Sequence, residues 1–268
     1  MRSGYGGVAA GETPGGEGAY WESQAEDYHA RHGATLGDAD LLWCPEGLRE
    51  EAVGLLGDVA GAWVLEVGAG AAQGARWAAG RGARVVALDL SRGMLEVARR
   101  LNAAASAGGP APAVDLIQAD AIALPLAADS FDLAFSAMGA LSHLRSLGQA
   151  HGEVARVLRP GGRWVFSTDH PLNWIFPDSD KVADLRARRR YFERGPYWER
   201  DEDGRLTYTH YHHTFADHVS ALVGAGFMIE QVIEPEWVDG APDAEWPPWS
   251  QARSEWVPAT IIMSARLA

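Results

Sequence analysis

One cysteine, Cys44, occurs in 268 residues. A single thiol cannot close an internal disulfide or build a cysteine-rich zinc site, and it fits a reducing compartment. Cations are also scarce: 23 Lys and Arg stand against 36 Asp and Glu, a formal net charge of −13. So acidic a chain lacks the basic footprint that binds a phosphate backbone, and no nucleic-acid partner is expected. No apolar run approaches the ~18–20 residues of a membrane span, so no membrane partner is expected either. Residues 1–19 hold seven glycines but no apolar stretch of a secretory signal, and they read as a flexible tail. These absences together predict a soluble, cytoplasmic protein. The sequence sets no oligomeric state.

What is present is enough apolar material for a sizeable core, 47% of residues, and 11 tryptophans. The length is a prior of one to two domains at about 150 residues each. Residues 20–57 read as two or three short helices, with Pro45 placed to open one at Glu46. They form an amino-terminal helical cap. From residue 58 to 268 the rhythm is that of a single α/β domain. Strands are expected at 63–67, 84–88, 114–118, 131–136 and 163–168, with helices at about 72–80, 91–104 and 146–158. Ser91 is a plausible N-cap for the second of these helices. Pro160-Gly161-Gly162 is a strong turn signal. Such alternation implies βαβ units and a parallel sheet. The pattern breaks over residues 169–213, an insertion expected to cap the carboxyl edge of the sheet. It resumes with a helix at about 215–225 and strands at about 227–233 and 259–265.

The sharpest motif is Val64-Leu65-Glu66-Val67-Gly68-Ala69-Gly70. Glycines directly after a strand let the backbone turn tightly and approach a ligand, and the next helix offers its positive N-terminus. The plain alternative is a tight strand-to-helix turn. Asp89 ends the second strand, where an acidic side chain accepts ribose hydroxyls. Asp120 ends the third strand, where an adenine amino group would be read. A nicotinamide dinucleotide fingerprint wants Gly or Ala three positions after the second glycine. Here that position is Gln73, and Gly74 comes one later. Glu66 also places negative charge where a pyrophosphate would be repelled. The same charge suits the cationic methionine end of S-adenosylmethionine (SAM).

These residues resemble the class I SAM-dependent methyltransferases. The match covers roughly residues 40–168 and the final strand pair. It rests on Glu66-Val67-Gly68-Ala69-Gly70, Asp89-Leu90-Ser91 with Met94, Gln118-Ala119-Asp120-Ala121 with Leu124-Pro125, Ser130-Phe131-Asp132, and Arg156-Val157-Leu158-Arg159-Pro160-Gly161-Gly162. The resemblance implies a Rossmann-like α/β fold with a seven-stranded sheet, strand seven running antiparallel between five and six. It implies SAM as cofactor and S-adenosylhomocysteine (SAH) as product. Glu66, Gly68, Ala69 and Gly70 would line the methionine end, with Asp89 and Leu90 at the ribose. Asp120 and Ala121 would read the adenine, Met94 would pack on its face, and Ser136, Ala137 and Met138 would close the site. Many relatives carry Cys or Thr where this chain has Ala69, a position that contributes mainly backbone. A closer likeness rests on Tyr28-His29-Ala30-Arg31-His32-Gly33, Trp43-Cys44-Pro45-Glu46-Gly47-Leu48, His170-Pro171 and Glu234-Pro235-Glu236-Trp237. These elements resemble actinobacterial methyltransferases similar to enzymes that methylate indole C3 of tryptophan-derived alkaloids and cyclic dipeptides. That group pattern implies Tyr28, His32 and Trp43 closing over the methionine end of SAM.

Methyl transfer is an in-line displacement in which the protein mainly positions a small-molecule acceptor. Methylation at indole C3 needs a base within hydrogen-bond reach of the ring N–H proton. His170, after the fifth strand, is a candidate, with an ordinary loop histidine beside Pro171 as the plain alternative. Asp169 and Tyr28 are the other catalytic candidates. Tyr20, Trp21, Asn173, Trp174, Glu236 and Trp237 are candidate acceptor contacts. His143 reads more readily as a polar helix-end residue. The run Arg186, Arg188, Arg189 and Arg190 reads as a solvated helix face, or else as a pair for an anion or for the acidic carboxyl-terminal connection. His210, His212 and His213 lack a carboxylate at ligand spacing, so no metal is expected. Eight of the tryptophans fall outside the cofactor-binding core, in the parts expected to surround the acceptor. An aromatic-lined pocket for a flat acceptor follows. Transfer to oxygen or nitrogen of another metabolite, and a nicotinamide oxidoreductase, are the alternatives.

Overall fold

The computed structural model describes residues 2–5, 17–106, 114–138, 140–204, 206–243, 246 and 249–268. Part of the expected tail is ordered: Arg2–Tyr5 forms a strand, β1; the rest of 1–16 lies outside the described residues. One helix, α1 (Glu17–Leu36), replaces the short helices expected there. No proline interrupts it, and Gly37 at φ +76° ends it, the left-handed conformation typical of a helix stop. Pro45 opens no helix. Gly47 at φ +93° closes a tight turn in which Trp43 N donates to Leu48 O at 2.8 Å and Gly47 N to Cys44 O at 3.0 Å. The next helical turn is α2 (Glu50–Val53).

The apolar runs then become strands and their polar-faced partners helices: β2 (Trp63–Val67), α3 (Gln73–Gly80), β3 (Arg84–Asp89), α4 (Arg92–Ser106), β4 (Val114–Gln118), β5 (Phe131–Ser136), α5 (Leu147–Val157) and β6 (Leu158–Asp169). Met94 N donates to Ser91 Oγ at 3.2 Å, so Ser91 caps α4 as expected. The helix before Pro160-Gly161-Gly162 ends as expected, at Val157, but the expected turn falls within a strand. It lies inside β6, where the pairing with β5 shifts register between Phe131 and Leu133. Such an irregularity absorbs a proline that a regular ladder would exclude.

The insertion carries two strands, β7 (Tyr197–Arg200) and β8 (Leu206–His210), followed by α6 (Phe215–Gly224), β9 (Phe227–Ile233), α7 (Gln251–Ser254) and β10 (Thr260–Leu267). The main sheet has the order β4-β3-β2-β5-β6-β10-β9. Its first five strands are parallel, and β10 runs antiparallel to both β6 and β9. This is the seven-stranded fold the resemblance implied. Leu65, Val64 and Phe135 are fully buried because helices cover both faces, which is why these strands read as unbroken apolar runs.

A second sheet, β1-β7-β8, is built from the insertion and the first residues. Helix α1 packs along α4, with Trp21, Tyr28 and Leu101 against Ala25, Met94 and Val97. The approach is close enough that a Cβ on Gly93 would sit 2.8 Å from Glu22 O. Over residues 186–190 there is no helix. Arg189 is not a solvated face residue: its guanidinium bonds to the carbonyls of Trp174 and Phe176.

Candidate active site

Two cavities adjoin at the carboxyl edge of the sheet. The first, about 350 Å³, lies over the loop after β2. Gly68 and Gly70 hold positive φ, +67° and +53°. A Cβ on Gly68 would lie 2.4 Å from Ala140 Cβ, whereas one on Gly70 would meet nothing within 4 Å. The loop is therefore tight on its protein side and open towards the cavity. Asp89 reaches back from the end of β3 and accepts Gly70 N and Ser91 N, each at 2.8 Å. Those two bonds fix its carboxylate, and each oxygen keeps a second lone pair. Glu66 is buried beneath the loop and accepts Ala75 N at 2.8 Å. Burial pushes its acid up to about 8, so a cation arriving in the cavity would draw it into the charged form.

Of the residues expected to bind cofactor, Tyr28, Glu66, Gly68, Ala69, Gly70, Asp89, Leu90, Met94, Asp120, Ala121, Ala137 and Met138 line this cavity together. Three do not. Ser136 is fully buried behind the loop. His32 lies one ring behind the cavity wall, 4.6 Å from Tyr28 and stacked on Trp246 at 5.0 Å between ring centroids. Trp43 is locked in the core, its indole N–H donated to Glu50 Oε2 at 2.9 Å, and it borders the second cavity instead.

The second cavity, about 380 Å³, lies between the end of β6, the insertion and α1. Trp21, Tyr28, Met138, His143 and Tyr211 line both cavities. Much of the rest is ring faces, among them Trp174, Tyr197, Tyr208 and Trp249. His143 sits at the seam, edge-on to Trp21 at 5.7 Å and to Tyr208 at 5.3 Å. Its Nδ1 is 2.9 Å from Thr209 O. Burial lowers its pKa to about 4.

Beside it, Asp169 Oδ2 accepts from Ser142 Oγ at 3.2 Å and faces His210 Nε2 at 3.3 Å. Burial raises the Asp169 acid to about 6, against the favourable charge of His143. His170 lines the cavity too, but both of its ring nitrogens are occupied. Nδ1 accepts from Leu172 N at 3.2 Å, which leaves Nε2 as the donor to Glu234 at 2.9 Å. It caps a 3₁₀ turn, Pro171–Ile175. Asn173 and Trp174 line the cavity, Asn173 held by the carbonyls of Pro258 and Ala259. Trp21 is at the seam, whereas Tyr20 packs at a tilt on Tyr208 at 4.9 Å and lines neither cavity. Glu236 and Trp237 lie away from both, with Glu236 exposed. The connection they begin reaches the cavity further on, through Trp246 and Trp249.

The other histidines serve separate ends. His212 donates to Tyr191 O and stacks on Trp174 at 4.9 Å. His213 donates to Leu144 O. Among the described residues no three side chains form a metal-holding group, and no helix is long and apolar enough to cross a membrane. His143, which reads from the sequence as a polar helix-end residue, and His210, which reads there only as an unfit metal ligand, both line the second cavity with Tyr208 and Tyr5. His143 follows β5 at the ligand-collecting edge, which was the available sign.

Residues 65–166 match the methyltransferase domain family. A demethylmenaquinone methyltransferase of Renibacterium salmoninarum is 38% identical over 124 residues, 46% of this chain and 48% of that protein. The chain thus spans about half the length of the curated relatives it matches. A solved structure from Listeria monocytogenes, assigned as a SAM-dependent methyltransferase, has the same fold, with a TM-score of 0.65 and 24% identity over 82% of this chain and 97% of that one. The crystal structure of a SAM-dependent methyltransferase from Mesorhizobium loti is 31% identical, with a TM-score of 0.60, covering 80% of this chain and 94% of its own. This chain belongs to the SAM-dependent methyltransferases.

Proposed function

We propose that the chain transfers a methyl group from SAM to a small, flat aromatic acceptor held in the second cavity. The observation that carries the reading is the shared wall: a glycine-lined acidic cavity and a ring-lined cavity meet at Trp21, Tyr28, Met138, His143 and Tyr211. SAM fits the first cavity. The open face of Gly70 leaves room for it. Glu66 and the loop would hold its cationic methionine end, Asp89 its ribose, and Asp120, Ala121 and Met94 its adenine. When bound, SAM supplies an electrophilic methyl group.

The protein's own part is to orient, exclude water and move a proton. A carbonyl only accepts, so His143 Nδ1 carries a hydrogen for Thr209 and the neutral ring presents Nε2 as a base. The Asp169 charge favours the imidazolium that forms on proton uptake. A proton taken from an indole N–H during attack would raise electron density at C3. The finer reading is therefore methylation at C3 of an indole in a tryptophan-derived compound such as a cyclic dipeptide. Rings on the walls give flat acceptors area at little entropic cost. His170, with both nitrogens engaged, is assigned to holding the loop rather than to proton transfer.

The test is SAH titration by calorimetry, followed by methylation of a panel of cyclic tryptophan-containing dipeptides, simple indoles and phenols. The methylated atom is assigned by NMR. Methyl groups found only on oxygen or nitrogen would replace the C3 reading with the O- or N-transfer alternative. No turnover of any aromatic acceptor would overturn the acceptor class.

A further inference from the structure

Strand β1 places Tyr5 on the wall of the second cavity. The residue is 40% exposed. Three neighbours hold it. Its ring meets Trp174 edge-on at 5.5 Å and Tyr197 at 5.2 Å. Arg189 lies over it at 4.5 Å and donates to its hydroxyl at 2.5 Å. The same guanidinium lies 5.3 Å from the Trp174 ring centroid, so cation and rings form one cluster.

The backbone delivers the ring by ladder pairing, Gly4 opposite Trp198 and Tyr5 opposite Tyr197. The seating of β1 depends on its sequence. A Cβ on Gly4 would lie 2.7 Å from the Trp198 ring, so any side chain there would have to push the indole aside. Among the described residues, these four lie on one edge of a three-stranded sheet, held by this ladder, by the Tyr5 cluster and by a Ser3–Tyr197 side-chain hydrogen bond. Edge segments of that kind open at low free-energy cost.

We propose that Tyr5 is a specificity-determining residue, the removable end wall of the acceptor cavity, which sets how long an acceptor can be. The proposal rests on reading this cavity as the acceptor site. Acceptors that end at the Tyr5–Trp174–Arg189 cluster are enclosed and shielded from water. Longer ones must displace β1.

The experiment uses the full chain and two variants that leave His143 and Asp169 untouched. Tyr5→Ala removes the wall, and Gly4→Val unseats the strand that carries it. The short acceptor is a simple indole, and the long one bears an extended aryl substituent. Both variants should raise KM for the short acceptor on the order of tenfold, the scale of one or two aromatic contacts, with SAH affinity unchanged. Both should lower KM for the long acceptor relative to wild type. The dye 8-anilinonaphthalene-1-sulfonate, which brightens in apolar cavities, should bind the variants more tightly than wild type. Hydrogen exchange at residues 3–5 should be fast in Gly4→Val.

Equal KM ratios for short and long acceptors in all three proteins would overturn the proposal, as would dye affinity unchanged by either variant. If no aromatic acceptor turns over in any of them, the acceptor reading fails. Dye binding and exchange then still decide whether Tyr5 walls this cavity.

Discussion

His143 Nδ1 and the carbonyl oxygen of Thr209 lie 2.9 Å apart, joining the turn after β5 to the last strand of the insertion. The bond fixes the tautomer, and with it the atom that faces the seam. His143→Gln keeps a donor for Thr209 but removes the proposed base. Turnover should fall roughly 10²–10⁴-fold, the range of a positioned acid–base group, with SAH affinity nearly unchanged in calorimetry. A variant as active as wild type would remove His143 from the mechanism.

Asp169 should set the acid limb of the pH–rate profile. Its acid titrates at about 6 and its charge supports His143. Below that pH the carboxylate is protonated and the support is lost, so kcat/KM should fall as pH drops through about 6. Asp169→Asn should be slower at pH 7.5 and should lack that limb. An unchanged limb in the variant would assign it to another group.

Asp89 ties the glycine loop to β3 through Gly70 N and Ser91 N. Asp89→Ala deletes both anchors and the carboxylate proposed for the ribose. Hydrogen bonds to a charged group contribute about 1.5–3 kcal/mol, so SAH should bind roughly ten- to a hundredfold more weakly. Calorimetry measures this directly, and unchanged affinity would refute the role.

The residues that line the first cavity were legible in the sequence because their placement is local. Glu66, Gly68, Gly70, Asp89 and Asp120 sit at strand ends that the apolar runs mark out, so finding the strands finds the wall of the candidate site. The acceptor half depends on contacts distant in sequence. His143 meets Thr209, 66 residues on, and Tyr5 meets Arg189, 184 residues on. No periodicity encodes such pairings. Trp43 and His32, expected at the methionine end of SAM, lie outside the lining of the first cavity for a related reason: their aromatic character suits a lid and a core equally, and only Glu50 and Trp246 decide between them. Residues 2–5 were hidden by the glycines around them. Gly4, which looked like a mark of disorder, is what lets Trp198 lie against the strand.

The buried histidines behind β6 make the fold sensitive to acid. His151 accepts Trp164 Nε1 at 3.1 Å, and His218 stacks on Phe166 at 6.2 Å with its Nδ1 buried and unpartnered among the described residues. Burial lowers the two imidazoles to about 4 and about 3, against about 6.5 in an unfolded chain. Between these values the unfolded state binds more protons than the folded one, so each histidine makes stability fall as pH drops below 6.5. A group neutral when folded and charged when unfolded contributes about 1.4 kcal/mol per pH unit. Glu66 and Asp169, whose pKa values are raised, act in the opposite sense. The comparison must therefore be between wild type and His218→Phe, which keeps the ring contact with Phe166 and removes one titration. Urea unfolding at pH 7, 6 and 5 should show the variant gaining on wild type as the pH falls, approaching that slope below pH 6. A stability difference constant across the three pH values would show that His218 is not held neutral by its burial.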